Sequence, residues 1–202
     1  MPARRHWRLI APPACPVTAL LAAAVRHVER YLGQPFPDGY RSELLPQLPY
    51  WIQAVMGGLD RGAMLFADYG YTRREYYQPD RDTGTLRAYY RHRVHNDPYL
   101  WPGLQDITAS VDFTALAEAG TQAGFDLAGY TTQANFLLGN GLQERLNEAE
   151  ARADETTLLR LRNEAKRLTL PSEMGERFQV MGFSSEVEFG TAFLFNDLSW
   201  RL

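Results

Sequence analysis

The run Ala63-Met64-Leu65-Phe66-Ala67 sets five apolar residues between Gly62 and the trio Asp68-Tyr69-Gly70. It is too short for an ordinary helix and is bounded by glycines, so it reads as a strand buried on both faces. It closes on a carboxylate, the place where open α/β sheets put ligand-binding groups. Helical periodicity surrounds it. Val17–Leu32 reads as a helix stopped by Gly33 and Pro35, and a second helix is expected over Leu48–Leu59. Residues 33–50 carry Pro35, Pro37, Gly39, Pro46 and Pro49 and read as a bent loop.

The second half alternates in the same way. Asp112 is placed to cap a helix that runs to Gly124, and Phe125–Tyr130 reads as a strand. Helices follow at Ala134–Leu138, from Leu142 to Ala153, and at Leu158–Leu168. Phe178–Phe183 and Thr191–Phe195 are candidate strands. The pattern predicts an α/β fold of about four or five strands with flanking helices. Between Tyr69 and Trp101 the composition changes: eight aromatics stand in 33 positions, about twice the 12% of the whole chain. Thr85–Arg91 is a possible strand there, and the rest reads as a long ordered loop of the kind that carries function.

Composition narrows the partners. The chain has 202 residues, is 45% apolar and 22% charged, and carries a net charge of −3, which disfavours a general nucleic-acid surface. Arg4, Arg5 and Arg8 precede an apolar stretch, Ala14–Val25, that prolines interrupt and that is too short to span a bilayer. A short helix is the plainer reading, and no membrane partner is expected. The single cysteine, Cys15, excludes an internal disulfide and a cysteine-rich zinc site. His92 and His95 with Asp97 offer an i, i+3 pair in a Tyr-, Arg- and Pro-containing stretch unsuited to a helix, so no metal is expected. No G-x-G-x-x-G, G-x-x-x-x-G-K-[ST] or G-x-S-x-G motif occurs.

The candidate chemistry rests on carboxylates. Glu43, Asp68, Asp106 and Asp112 stand at loop–element junctions, where α/β folds gather binding groups. Such a set can clamp a guanidinium bidentately and help it lose a proton. His92 is an alternative general base because its ordinary pKa lies near working pH. Each carboxylate can equally be a cap or turn residue, Asp112 above all.

Several strings taken together extend the reading. They are Tyr40-Arg41-Ser42-Glu43, Leu65-Phe66-Ala67-Asp68-Tyr69-Gly70-Tyr71, Gly84-Thr85-Leu86-Arg87-Ala88-Tyr89 with His92, Pro102-Gly103, and Asp106-Ile107-Thr108-Ala109-Ser110-Val111-Asp112-Phe113. Thr132-Gln133 with Phe136-Leu137-Leu138, and Met174-Gly175 with Phe178, complete the set. Their order and spacing, from about residue 38 to 182, resemble the MidA-type S-adenosylmethionine-dependent methyltransferases, whose members include the mitochondrial complex I assembly arginine methyltransferase. Ser110 stands where that family has histidine. The family's Gly-rich cofactor loop and its N-E-x-x-D-A-x-P stretch have no counterpart here.

The resemblance implies the C-terminal part of a class I, Rossmann-like methyltransferase sheet. Residues 1–37 would be an N-terminal helix and loop. Residues 38–202 would be the C-terminal half of the methyltransferase domain, with a helical insertion at about 132–168. It further implies S-adenosylmethionine as donor, a protein acceptor such as an arginine of a respiratory-complex subunit, and a bacterial cytoplasmic setting. Asp68, Asp106 and Asp112 would stand near the acceptor, with Glu43 and His92 behind them, while the cofactor-binding residues remain unassigned. A non-catalytic protein-binding module, docking through the aromatic, arginine-rich segment, is the competing expectation.

Overall fold

The computed structural model describes residues 16–202. Cys15, the N-terminal arginines and the start of the apolar stretch lie outside them. The chain divides into two units, each discontinuous in sequence: one holds residues up to Leu48 and Arg73–Ser110, the other Pro49–Thr72 and Val111–Leu202.

In the first unit, helix α1 (Pro16–Leu32) buries Val25 and Val28. Phe36 follows it, stacked on Tyr40 at 4.9 Å and edge-on to Tyr77 at 5.6 Å. The short helix α3 (Arg73–Tyr76) brings in Arg73, whose side chain is only 1% exposed. A buried guanidinium needs partners, and Arg73 has the Tyr31 ring 4.9 Å away and His27 Nε2 at 3.3 Å from its Nη1. Three short antiparallel strands complete the unit: β2 (Arg87–Tyr90) lies between β3 (Arg93–His95) and β4 (Asp106–Thr108). The expected strand Thr85–Arg91 is therefore real but shorter, and one of its two partners, β3, lies inside the stretch read as loop.

The second unit contains helix α2 (Leu48–Met56), which spans the boundary by one residue, and strand β1 (Gly62–Tyr71). Next come β5 (Val111–Asp112), helix α4 (Phe113–Gln122), strand β6 (Asp126–Thr132) and helices α5 (Gln133–Gly139), α6 (Leu142–Glu150) and α7 (Glu155–Thr169). Strand β7 (Phe178–Ser185) ends the series of regular elements. The sheet order is β5-β1-β7-β6. β7 runs antiparallel to both neighbours, and β1 runs parallel to β5. Mixed α/β architecture is thus as expected.

Three of the helices begin at side-chain caps, the expected Asp112 among them. Asp112 Oδ1 accepts from Ala115 N at 3.0 Å, Thr132 Oγ1 from Asn135 N at 3.3 Å, and Asp154 Oδ1 from Thr157 N at 2.8 Å. Helix α4 then buries Phe113, Leu116, Ala117 and Gly120. A Cβ at Gly120 would sit 2.2 Å from the Phe183 ring, so the absence of a side chain there brings helix and sheet together.

Two expectations are corrected. The strand β1 is not buried on both faces: Leu65 is 48% and Tyr69 50% exposed, and Ala63 and Ala67 are exposed with them. β7 is the strand with both faces covered, from Gln179 to Ser184. The run Thr191–Phe195 forms turns, with Leu194 N bonded to Thr191 O at 3.1 Å and Ala192 N to Phe189 O at 3.2 Å. The cause is Phe193, 5% exposed, whose ring fills the space left side-chain-free by Gly129 and Gly182. Anchoring that ring on the sheet face takes the segment out of any ladder.

Beyond it, residues 196–199 clip onto the edge of β6. Asp197 Oδ1 accepts from Tyr130 N at 3.1 Å, Ser199 N at 3.0 Å and Ser199 Oγ at 2.7 Å. Leu198 N donates to Tyr130 O at 2.7 Å, and Thr131 Oγ1 to Asn196 O at 2.8 Å. Among the described residues no helix is long and apolar enough to cross a membrane.

Candidate functional site

The five candidate residues divide between the units: Glu43, Asp106 and His92 belong to the first, Asp68 and Asp112 to the second.

Glu43 is the best-connected of them. Its carboxylate accepts from Thr85 N at 2.9 and 3.2 Å, Thr85 Oγ1 at 3.1 Å, Leu86 N at 3.1 Å and the Tyr76 hydroxyl at 3.2 Å. Its backbone carbonyl accepts from the Tyr77 hydroxyl at 3.2 Å. Thr85 Oγ1 in turn accepts from Ser110 N at 3.0 Å. Gly84, at φ +75°, leaves room for this arrangement: a Cβ there would stand 2.2 Å from Glu43 Oε1. Two separate strings, Tyr40-Arg41-Ser42-Glu43 and Gly84-Thr85-Leu86, are therefore halves of one hydrogen-bonded hub. Charge-assisted bonds of this kind are the strong ones, and they occupy the carboxylate. Glu43 organises its surroundings. Beside it, burial raises the pKa of the Tyr40 phenol, opposed by the Arg81 charge and reinforced by Asp82, Glu43 and Asp80. The Tyr40 hydroxyl donates to Gln78 O at 3.1 Å.

Asp106 opens β4 in register with Tyr89, and Tyr89 faces Val94 on β3. Residues directly opposite share a sheet face, so Val94, Tyr89 and Asp106 form one row, and all three are exposed. His92 occupies a different environment. With Arg91 at φ 49° and His92 at φ 64°, the pair forms the two-residue hairpin between Tyr90 and Arg93. Positive φ at both central positions is the geometry of a type I′ turn, and the exposed imidazole is not seated in a pocket.

Asp68 lies near the end of β1, exposed, with Oδ1 accepting from Tyr69 N at 2.7 Å. Asp112 lies in β5, opposite Tyr71 of β1, and its carboxylate caps α4. The two strands approach closely here: a Cβ on Gly70 would be 2.4 Å from Val111 O. Asp68 and Asp112 thus stand on adjoining strands, Asp112 committed to its helix and Asp68 with its other oxygen open.

The turns from strand to helix bear on the donor. Tyr71 leads through Thr72 into α3, Asp112 leads directly into α4, and Thr132 directly into α5. No glycine intervenes at any of the three, so none offers the bare backbone amides that cradle a nucleoside-bearing cofactor. These three turns therefore supply no glycine-rich cradle of their own. Among them no group of three or more His, Cys, Asp or Glu is placed to hold a metal ion. A shallow open groove of about 700 Å³ runs beside α1, lined by Arg26, Glu29 and Arg30 among others, and none of the five candidates lines it.

Sequence reasoning missed the partners of Glu43 and the Asp197 clip. The first had a signal, because both halves of the hub lie in strings that carry the family resemblance. The second had none, since Asp197 lies 67 positions from Tyr130 and beyond the last element the sequence marks.

Comparison with known proteins places this geometry. Residues 10–131 match a family model described as S-adenosyl-L-methionine-dependent methyltransferase. The protein arginine methyltransferase NDUFAF7, mitochondrial, of Danio rerio is 36% identical over 121 residues, 59% of this chain and 26% of that protein. Its Homo sapiens counterpart is 33% identical over 121 residues, 25% of its length. A Burkholderia thailandensis protein of known structure superposes with TM-score 0.81 at 41% identity, over 89% of this chain and 48% of the other. A second Burkholderia thailandensis structure, bound to S-adenosyl-homocysteine, superposes with TM-score 0.80 at 39% identity, over 95% of this chain and 47% of that one. The chain thus spans about a quarter of the curated relatives and about half of the solved ones.

Proposed function

The chain belongs to a family of S-adenosyl-L-methionine-dependent methyltransferases, and we propose that it is the acceptor-side half of a protein arginine methyltransferase. The observation that carries this reading is the pairing of exposed, uncommitted carboxylates with strand-to-helix turns that hold no glycine. Such carboxylates can grip a guanidinium, and among the described residues these turns supply no glycine-rich cradle for a nucleoside. S-adenosylmethionine, the donor of the proposed reaction, would be held by the half of the fold that this chain does not span.

Methylation of a guanidinium nitrogen requires that nitrogen to lie in line with the methyl group and to lose a proton. In this reading Asp68 orients the guanidinium through its open oxygen and takes the proton. Taken on the first unit by itself, Asp106 is an alternative to Asp68 for acceptor binding, with Tyr89 beside it to lie against an arginine side chain. Asp112 supports Asp68 by fixing the start of α4, and Glu43 holds the Thr85–Leu86 turn. His92 has no part in the transfer. An arginine of a respiratory-complex subunit, methylated in a bacterial cytoplasm, is the proposed acceptor.

The test combines the chain with the remaining half of the S-adenosyl-homocysteine-bound Burkholderia thailandensis protein, an arginine peptide and labelled S-adenosylmethionine. Transfer should need both halves, and Asp68→Asn should lower kcat more than KM. If the mixture neither binds the donor nor transfers a methyl group, the enzymatic reading fails. The rival reading as a protein-binding module draws on the exposed Val94, Tyr99 and Leu104 of the first unit. Peptide binding without transfer would favour it.

A further inference from the structure

Asn140-Gly141 is the sole Asn-Gly pair in the sequence. In such a pair the glycine nitrogen can attack the asparagine side-chain carbonyl carbon, because no side chain on the following residue stands in its path. The pair lies where two elements meet. Asn140 closes α5 as its C-cap, with φ −103° and ψ 25°, and Gly141, at φ 81°, opens α6. Asn140 is exposed, so water reaches it.

The Asn140 amide is also a tether. Its Nδ2 donates to Phe136 O at 2.6 Å, one turn back in α5. It donates as well to Ala192 O at 3.0 Å, in the turns that seat Phe193. Two further contacts hold those turns against α5. The Phe136 and Phe193 rings lie 5.3 Å apart, and a Cβ on Gly139 would stand 2.7 Å from Phe195 Cβ. Both bonds from Nδ2 need a donor. A carboxylate at the same place has only acceptors, and its charge would face two backbone oxygens. The tether therefore lasts only while residue 140 is an amide.

The same bonds hold the attack back. They pin the side chain toward Phe136 and Ala192, and Gly141 N is itself donating to Leu138 O at 3.3 Å. That nitrogen becomes a nucleophile only after it leaves the carbonyl and gives up its proton. We propose that Asn140 is a self-modification site, gated by the last turn of α5, and that its conversion releases the turns at 189–195. When the helix end frays, Gly141 N bonds to Asn140 Cγ and the Cγ–Nδ2 bond breaks. The proton given up by Gly141 N leaves with Nδ2 as ammonia. Water then opens the cyclic imide to aspartate or isoaspartate. No oxidant, metal or cofactor takes part, and the site stands apart from the proposed methyl transfer.

The experiment incubates the whole chain in mildly alkaline buffer, folded and in denaturant, and follows conversion by peptide mass spectrometry. Residue 140 should convert ahead of every other asparagine, and at least about tenfold faster in denaturant than in the folded chain. Asn140→Asp should then speed amide exchange at Ala192 and Leu194 by at least about tenfold, with Val180 and Met181 of β7 unchanged. Should that variant not fold, the converted fraction of the parent chain, separated by its added negative charge, gives the same measurement. The proposal is overturned if folded and unfolded chains convert at one rate, if another asparagine converts first, or if the acidic form exchanges at Ala192 and Leu194 like the parent.

Discussion

In the first unit a single carboxylate gathers donors from two distant strings. In the second, a buried strand collects aromatic rings. Glu43 is half-buried and holds Tyr76, Thr85 and Leu86 through charge-assisted hydrogen bonds. Phe183 on β7 is fully buried, 6.0 Å from the Phe66 ring and packed against Gly120. The first arrangement is directional and fails when one acceptor is lost. The second is spread over many contacts and is sensitive to volume. The difference teaches that the same chain adds polar geometry to shape its smaller aromatic, arginine-rich unit, and relies on apolar packing around its longer strands.

Four measurements bear on that contrast, in order of expected size. Phe183→Ala removes a ring that helix and sheet both enclose, and should cost about 3–5 kcal/mol by denaturant unfolding. A loss below about 1 kcal/mol would mean that the second unit is not core-dominated. Glu43→Ala strips the hub of its acceptor and leaves the Thr85 and Leu86 amides unpaired, at an expected cost of about 2–3 kcal/mol. Amide exchange should speed up at Thr85 and Leu86 and not along β7. Asp112→Ala should cost about 1 kcal/mol as a lost cap, with Asp112→Asn close to wild type. If Asn instead behaves like Ala, the charge of Asp112 has a role beyond capping.

The smallest effect is a pH dependence. Burial pushes the Asp197 carboxyl up, but the Ser199 hydroxyl and the Tyr130 and Ser199 amides outweigh it and hold the group below the usual carboxylate range. A depressed carboxylate stabilises above its unfolded value, near pH 4, and that stability is lost as pH falls through the folded value. Exchange at Tyr130 should therefore rise in acid below about pH 4, and Asp197→Asn should flatten that rise.

What the residues foretold follows the range of the forces. Helices α4 to α7 were legible because their apolar stripes are local, as is the Asp112 cap, which acts three residues ahead; the equally local Asp154 cap went unread, and α7 starts three residues before the expected Leu158. The position of β1 was legible from its bounding glycines, but its burial was not, because burial depends on what covers a strand. Thr191–Phe195 has strand composition, yet Phe193 is held by gaps at Gly129 and Gly182 that no period reveals. β3 and β4 are three residues each, too short for any periodicity. At the candidate site, Asp112 as a cap was readable, whereas the occupation of Glu43 depended on donors 42 and 43 positions away.

The β1–β7 register carries a consequence for synthesis. Phe66 pairs with Met181, 115 positions later, and β7 is the only long strand partner that β1 has among the described residues. At about 5–20 residues per second, a ribosome takes on the order of ten seconds to make that interval. For that time the Ala63–Ala67 segment emerges with neither side satisfied. A chaperone that binds short apolar stretches on nascent chains would find a target there, well before the sheet can close.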